Sequence, residues 1–569
     1  MTVISRFPAR LIALSAALAC AGPLTAAAQV GGSGGGSDGG GPDAGSSAGA
    51  GNSSRGGGST GRATRIDPYI EAGQIVTAEL SPGDDVLTYS TVAAGVDAQI
   101  AGANSAISAS VRYEHRFGWG EAEDADILSG IARGYAAVAP GLQLDAGALA
   151  TRTRVDGNGS SVIGPLVNDD TVSQLYSLYA GPSLSTQAGD VQIAANYRFG
   201  YTKLEQPDAF VATPTARSVD VFDESTVHVA SVHAGVRPYE VLPVGLGLGA
   251  NYYREDISDL DQRAEEFRAR ADVSVPLSPS LALVGGLGYE NVQISARDAL
   301  RDADGVPIAG PDGQYVTDKG SPRTIAYDVD GLIWDVGVMW RPSRRTSLEA
   351  HVGRRYGTTS FWGSFAYAPN SRSSLNIAVY DNIAGFGGQV NRALADLPDE
   401  FTAVRNPLTG DIGGCVATLE QNGCLTNVLG SVRSATFRAR GVTGTYAYRF
   451  GRLETGIGAG YDRRRFIAAR GTILASSNGV LDENYWLAAY VNGQIDAKSS
   501  FTTNVYANWF KSGGLDRDSS AVGATAAYYR RLADKLRATV ALGIDGVSQD
   551  EPSADFWNAS ALLGLSYHF

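Results

Sequence analysis

From Arg65 to the C-terminus the chain is a succession of segments in which apolar and polar residues alternate, with hardly any helical periodicity. In one such segment Val191, Ile193, Ala195, Tyr197, Phe199 and Tyr201 face one way and Gln192, Asn196, Arg198 and Thr202 the other. Ile107 to Phe117 repeats it, with Ile107, Ala109, Val111, Tyr113 and Phe117 opposite Ser108, Ser110, Arg112, Glu114 and Arg116. Phe267 to Val275 and Leu536 to Gly546 do the same. Side chains alternate across a strand with period two, so each segment can meet an apolar phase on one side and a wetter one on the other. About twenty-two strands of this kind fit the chain, within a range of twenty to twenty-four, the first near Ile70 and the last near Leu562.

Alternation alone suits a soluble sandwich as well as a barrel, because both have one apolar and one polar face. The connections separate the two. Every second one is short, as at Gly102 to Ser105, Pro140-Gly141, Gln187 to Asp190, Gly451-Arg452 and Ala533 to Lys535. Those between are usually longer, as at Val155 to Thr171, Gln206 to Ser225, Ser295 to Asp330, Asn382 to Arg433 and Ala468 to Glu483. A sandwich has no reason to segregate loop lengths, whereas an outer-membrane barrel has short periplasmic turns and long extracellular loops. At ~10 residues per spanning strand, twenty-two strands use roughly 220 residues, and loops and strand extensions take the rest. The predicted fold is therefore all-β: a single transmembrane antiparallel up-and-down β-barrel over residues 65–569, with no room for a second folded domain. Aromatic residues support it. Tyr69, Tyr113, Phe117, Tyr197, Phe199, Tyr252, Tyr289, Trp334, Trp340, Tyr485, Trp509, Trp557 and Tyr567 are placed on the apolar face, mostly towards strand ends, where amphipathic rings meet the interfaces.

Ahead of the barrel, residues 1–28 read as a secretory signal peptide, with Arg6 and Arg10 before an apolar run and Ala26-Ala27-Ala28 at the cleavage site. Lipidation at Cys20 is the alternative, disfavoured because Ala17 stands where a large aliphatic residue is usual. Residues 29–64 are rich in Gly and Ser and cannot bury a core, so they read as a flexible periplasmic tether. Removing the signal takes Lys+Arg from 46 to 44 against 59 Asp+Glu, a net charge near −15. That balance argues against a nucleic-acid partner, which needs a positive surface. No apolar run beyond the signal approaches the ~20 residues of a membrane-spanning helix. Cys415 and Cys424, the two thiols of the exported chain, lie close together in a polar segment and predict a disulfide closing a small loop, a redox pair being less favoured without CxxC spacing.

A barrel of this size encloses a lumen too wide for wall side chains to fill. Alternation places Arg112, Glu114, Arg116, Arg133, Arg198, Glu266, Arg268 and Arg270 on its inner face, together with Asp272, Asp335, Glu454, Asp462, Arg464, Asp496, Arg537 and Asp545. Both signs are interleaved, which favours hydrophilic, weakly charged solutes over strong ion selection, unless the charges simply pair with one another across strands. Residues Gly31 to Ala63 are too short and Gly-rich to form a plug, so any occlusion falls to Asn382 to Arg433. That loop is expected either to fold inward as a constriction or to stand outside as a lobe.

Catalytic and metal readings are weak. Gly31-Gly32-Ser33-Gly34-Gly35 matches GxSxG but lies in the tether, with no strand before it or helix after it. Gly245, Gly247 and Gly249, and Gly456, Gly458 and Gly460, alternate along strands and read as small inward residues. Asp302-Ala303-Asp304-Gly305 lacks the remaining ligands of a calcium loop, and no histidine shares a face with another ligand at metal spacing. A rim hydrolase would have to use His228 or His233 with Asp220 or Asp223. No enzyme, metal or cofactor is expected.

The closing stretch Phe556 to Phe569 sets Trp557, Ala559, Ala561, Leu563, Leu565, Tyr567 and Phe569 on one face. It resembles the last strand of bacterial outer-membrane barrels, a resemblance that implies that Tyr567 and Phe569 are read by the barrel-assembly machinery. With the signal, the tether, the opening Arg65-Ile66-Asp67-Pro68-Tyr69-Ile70-Glu71 and the repeated hairpins, nearly all of the mature chain resembles the β-barrel porin families of proteobacteria. Within them it is most similar to outer-membrane proteins associated with exosortase and exopolysaccharide loci. The resemblance implies the Gram-negative outer membrane, contact with its lipid and lipopolysaccharide, and a porin-like channel for hydrophilic solutes linked to polysaccharide export. A surface scaffold with a blocked lumen is the alternative, and a hydrolase a more distant one.

Overall fold

The computed structural model describes residues 63–569 except 82, 156–160, 164–171, 206–221, 311–313, 400, 418–422, 425–431, 514–516 and 550–554. The first strand begins at Ala63, two residues before the predicted boundary at 65. The rest of the tether and the signal lie outside the described residues.

Twenty-two antiparallel strands close into one barrel, each hydrogen-bonded to the next in sequence. A further three-residue strand, Ser161–Ile163, extends the edge of Leu142–Val155. Closure is made by the first strand, Ala63–Ser81, and the last, Phe556–His568, in register from Tyr69 opposite His568 to Ser81 opposite Trp557. The seam is tied on its inner face by Thr77 Oγ1 and Ser560 Oγ at 2.7 Å and by His568 Nδ1 against Asp67 Oδ1 at 3.1 Å. At its end the amide of Phe569 donates to the carbonyl of Pro68 at 3.1 Å.

The two faces are inverted relative to a water-soluble protein. Outward positions are large, apolar and bare, including Leu248, Leu287, Leu332, Leu542 and Leu563, while inward ones such as Ser108, Arg116, Thr202 and Asp462 are buried. Apolar exposure around a whole barrel is tolerable only in lipid, and the chain is an outer-membrane β-barrel. The predicted segregation of connections holds. Pro140-Gly141 and Gly451-Arg452 make tight turns at one rim, with Gly141 and Gly451 at φ +76° and +60°, a conformation glycine adopts without strain. Residues 297–323 and 385–436 are the long connections at the other rim.

Two placements differ from the sequence reading. Tyr69 points inward and is buried: Ile66, Ile70 and Val76 are the outward residues of its strand, and its ring lies in the space that Gly95 leaves by lacking a Cβ. Asp496 is not on the wall; it sits exposed in the turn after Leu481–Gln494 and accepts the amide of Lys498.

Deleting Phe569 should lower the amount of folded barrel in the outer membrane while leaving export to the periplasm intact, because it removes the last hydrogen bond of the seam. Fractionation with heat-modifiable electrophoretic mobility reads this out, and normal barrel levels would refute it.

Candidate functional site

The lumen is occupied by the chain itself. The segment between strand Ser373–Ala384 and strand Phe437–Phe450, the fifteenth and sixteenth of the barrel, turns inward and crosses to the opposite wall. The inward alternative for the long loop is the one observed. Its residues meet Ala125–Ala139, the fourth strand, which lies eleven strands from the fifteenth in a ring of twenty-two and is therefore diametrically opposed.

The crossing begins with a ten-residue helix, Phe386–Ala395, absent from the sequence reading. Its N-cap, Gly385, offers no side chain, and the cap comes from the wall instead. Glu255, fully buried on strand Gly245–Ile257, accepts the amide of Gly385 at 2.6 Å and that of Gly388 at 2.8 Å, and takes the Tyr253 hydroxyl at 2.5 Å. A carboxylate at this end satisfies unpaired N–H groups and complements the helix dipole. Gly385, Gly387 and Gly388 make the approach possible, since a Cβ on any of them would collide with Glu255, Ser225 or the Tyr253 hydroxyl. The signal in the sequence was the spacing of Phe386, Val390 and Leu394 at every fourth residue, beginning within the glycine cluster Gly385, Gly387 and Gly388.

Beyond the helix the segment is fixed by both apolar and polar contacts. Phe386, Val390, Leu394, Leu397, Phe401 and Val432 are buried against Ile131, Leu149, Leu175, Leu204, Phe222 and Ile257 of the wall and its loops. On the far side Ser108 Oγ donates to the carbonyl of Asp399 at 3.0 Å, and Arg405 donates to Ser110 Oγ and Ser129 Oγ at 3.0 and 2.7 Å. Asp411 and Arg152, both buried, form an ion pair at 2.7 Å. Arg133 reaches Asp399 at 3.2 Å; burial has the largest effect on that carboxyl and raises its pKa, against the opposing pull of Arg133. Leu408, near the tip, packs on Ala527 and Ala541.

Part of the segment is a small sheet of Thr402–Arg405, Ile412–Ala417 and Gly423–Cys424. Its register sets Cys415 directly opposite Cys424. Directly opposed antiparallel residues are ~4.5–5.5 Å apart at Cα, within the span a disulfide needs. The two side chains lie outside the described residues.

The predicted inward charges are mostly organised as pairs along the wall. Arg112 bridges Glu71 at 2.9 Å and Glu114, and Arg116 holds Glu114 at 2.6 Å. Arg270 grips Asp335 with two bonds of 2.7 and 2.8 Å, while Asp272 lies 3.2 Å from His233. Asp335 also meets His351, whose ring stacks on Trp362 at 5.3 Å. Asp462 joins Arg464 and the Tyr380 hydroxyl, and Glu454 joins Arg449. Glu266 binds Arg355 and accepts the Tyr356 hydroxyl at 3.0 Å. Tyr356 and Gly357 form a two-residue turn on the long-loop rim, and the Tyr356 ring folds in between the guanidiniums of Arg355 and Arg438, 4.5 and 4.8 Å away. Arg198 and Arg537 lie over Tyr179 and Tyr529, and Arg268 and Asp545 are buried in the wall.

The hydrolase pairing does not form among the described residues. His228 bonds the Tyr197 hydroxyl and His233 pairs with Asp272, while Asp223 is engaged by Ser258; Asp220 lies outside the described residues. Among the described residues no cluster of His, Cys, Asp or Glu is arranged to hold a metal.

Asp411→Ala should break the buried ion pair to Arg152, a loss of up to about 3–5 kcal/mol. Glu255→Ala removes the helix cap and should cost about 0.5–2 kcal/mol. Hydrogen exchange is expected to accelerate at the amides of 401–412 in Asp411→Ala and of 385–395 in Glu255→Ala, with the barrel strands unaffected; unchanged exchange at 401–412 in Asp411→Ala would refute the anchoring role.

No family model matches the sequence, and no curated protein matches it. Among solved structures, the chain is similar to the FrpB iron transporter of Neisseria meningitidis at 12% identity and a TM-score of 0.40, covering 88% of this chain and 81% of that one. It is similar to the ferric-catecholate import receptor Fiu of E. coli K12 at 11% and 0.42, covering 89% and 82%. For the siderophore receptor PirA of Acinetobacter baumannii the values are 9% and 0.39, covering 88% and 80%. Similarity of this size assigns no function.

Proposed function

We propose that the protein is a non-enzymatic outer-membrane channel for hydrophilic solutes, gated by its own segment 385–436. The observation that carries the reading is the placement of that segment: it enters from the long-loop rim and crosses a lumen lined by paired charges. Magnitudes say how it could open. Six apolar side chains buried at about 1.5–3 kcal/mol each outweigh any one polar anchor. Breaking Asp411–Arg152 alone should loosen the far side while the helix stays docked on Glu255, so the opening is a partial withdrawal from the fourth and fifth strands. Delivery by the barrel-assembly machinery and residence among lipid and lipopolysaccharide belong to the same proposal. Exopolysaccharide is the finer reading of its cargo, supported by the sequence resemblance.

The depth of the apolar cluster favours a second reading, a surface scaffold whose lumen stays blocked. Planar-bilayer recordings separate the two. A gated channel predicts brief or small openings for the full chain and larger, longer ones for the Asp411→Ala, Glu255→Ala double variant. Silence from both overturns the channel, and specific surface capture lost on deleting 382–433 would then establish the scaffold.

A further inference from the structure

One stretch of the inner wall is built differently from the rest. On the neighbouring strands Leu481–Gln494 and Ser499–Ser512, the even-numbered residues face inward, since Tyr485, Leu487, Val505 and Trp509 are the exposed ones. The register pairs Asn484 with Phe510, Trp486 with Asn508, Ala488 with Tyr506 and Tyr490 with Asn504. Each of these four successive inward levels therefore carries one aromatic ring, alternating between the two strands, and at three of the four it faces an asparagine.

The flanking strands leave space for this pattern. Gly456 and Gly460 of strand Leu453–Phe466 lie opposite Tyr490 and Trp486, and Gly523 of strand Arg517–Arg531 lies opposite Tyr506. A Cβ on any of the three glycines would collide with the ring beside it, so the rings lie down across the glycines against the wall. A two-residue step of ~6.6 Å on a strand tilted about 40° advances about 5 Å along the barrel axis, so the rings ascend at a spacing close to the length of one sugar unit.

Several polar atoms of the strip are unmet. Both amide atoms of Asn484, the carbonyl oxygens of Asn504 and Asn508 and the hydroxyl of Tyr490 have no hydrogen-bond partner, although Asn484, Asn508 and Tyr490 expose only 3, 6 and 7% of their surface. Buried polar groups are ordinarily paired, and a set of them aimed into one strip calls for a ligand that brings its own donors and acceptors. The levels of Trp486, Tyr506 and Tyr490 carry no charge on these two strands or on their flanking neighbours, and the carboxylates at the ends, Glu454 and Asp462, are paired with Arg449 and Arg464. With no unpaired charge along it, the strip favours a neutral ligand. Flat apolar ring faces beside amides suit a pyranose, whose C–H face stacks on a ring while its hydroxyls reach the amides.

We infer that this Asn–aromatic strip is a binding track for a neutral oligosaccharide, running lengthwise in the lumen. The inference rests on the channel reading and names the solute class that would pass.

Calorimetric titration of the detergent-solubilised full chain, and of its Asp411→Ala variant, with maltohexaose and cellohexaose tests it. Saturable binding of at least one is expected, at least as strong in Asp411→Ala, whose lumen is less occupied. Trp486→Ala or Tyr490→Ala in that background should weaken it about tenfold or more, the loss of one stacking contact. Trp509→Phe on the lipid face should not change it, and heat-modifiable mobility confirms that each barrel is folded. No saturable binding in either background, or affinity indifferent to Trp486 and Tyr490, overturns the track. A conducting barrel without binding defeats the track alone. A silent barrel with Trp486-dependent binding defeats the channel and leaves the track standing.

Discussion

Inside a bilayer no water reaches the backbone, so every amide and carbonyl must find its partner within the chain, and a sheet achieves this only by closing on itself. That demand makes Phe556–His568 return to Ala63–Ser81, and with twenty-two strands the closed ring is wider than its own side chains can fill. The interior must then be wet, plugged or both. Here it is crossed by a loop from the long-loop rim, and the chemistry of the inner wall divides accordingly. Beneath the segment the wall presents hydroxyls, Glu255 and Arg152 as partners for docked backbone and side chains. Elsewhere it presents charge pairs, or the amides and rings of the two strands 481–494 and 499–512.

The segment is held in two ways. Its first half is a helix pressed close to the wall by glycines and capped by a carboxylate from another element, with an apolar face that is costly to re-expose. Its far half relies mainly on hydrogen bonds and one buried ion pair, with smaller apolar contacts at Phe401 and Leu408. Asymmetry of this kind gives a hinge at the helix and a releasable end beyond it, without requiring any wall strand to move.

Every barrel strand was legible in the sequence because lipid outside and polar contents inside impose period two on nearly every strand, and loop lengths then gave the orientation. What failed was local or long-range. Tyr69 turned inward because Ile66, Ile70 and Val76 hold the outward phase of its strand; its aromatic ring suggested the apolar face, but Gly95 on the next strand makes room for it inside. Asp496 was placed on the wall because the alternation does not mark where a strand stops. The helix was short and its spacing brief against a background of strands. The route of the segment could not be read at all, since its partners lie far off in sequence: Glu255 is 130 residues from Gly385, and Arg152 is 259 from Asp411. The inward charges were legible as a set, but their pairings follow from register rather than from composition.

The cap at Glu255 has a consequence for how such a barrel tolerates change. Its carboxylate reaches the lumen only because position 255 falls on the inward phase of a two-residue repeat. Adding or removing a single residue in Gly245–Ile257 would reverse that phase, turn a charged group to the hydrocarbon and leave the helix end bare. The same change in residues 297–323, outside the wall, alters no phase at all. Insertions and deletions, more than substitutions, therefore divide this molecule into a frame counted in pairs of residues and loops free to vary in length.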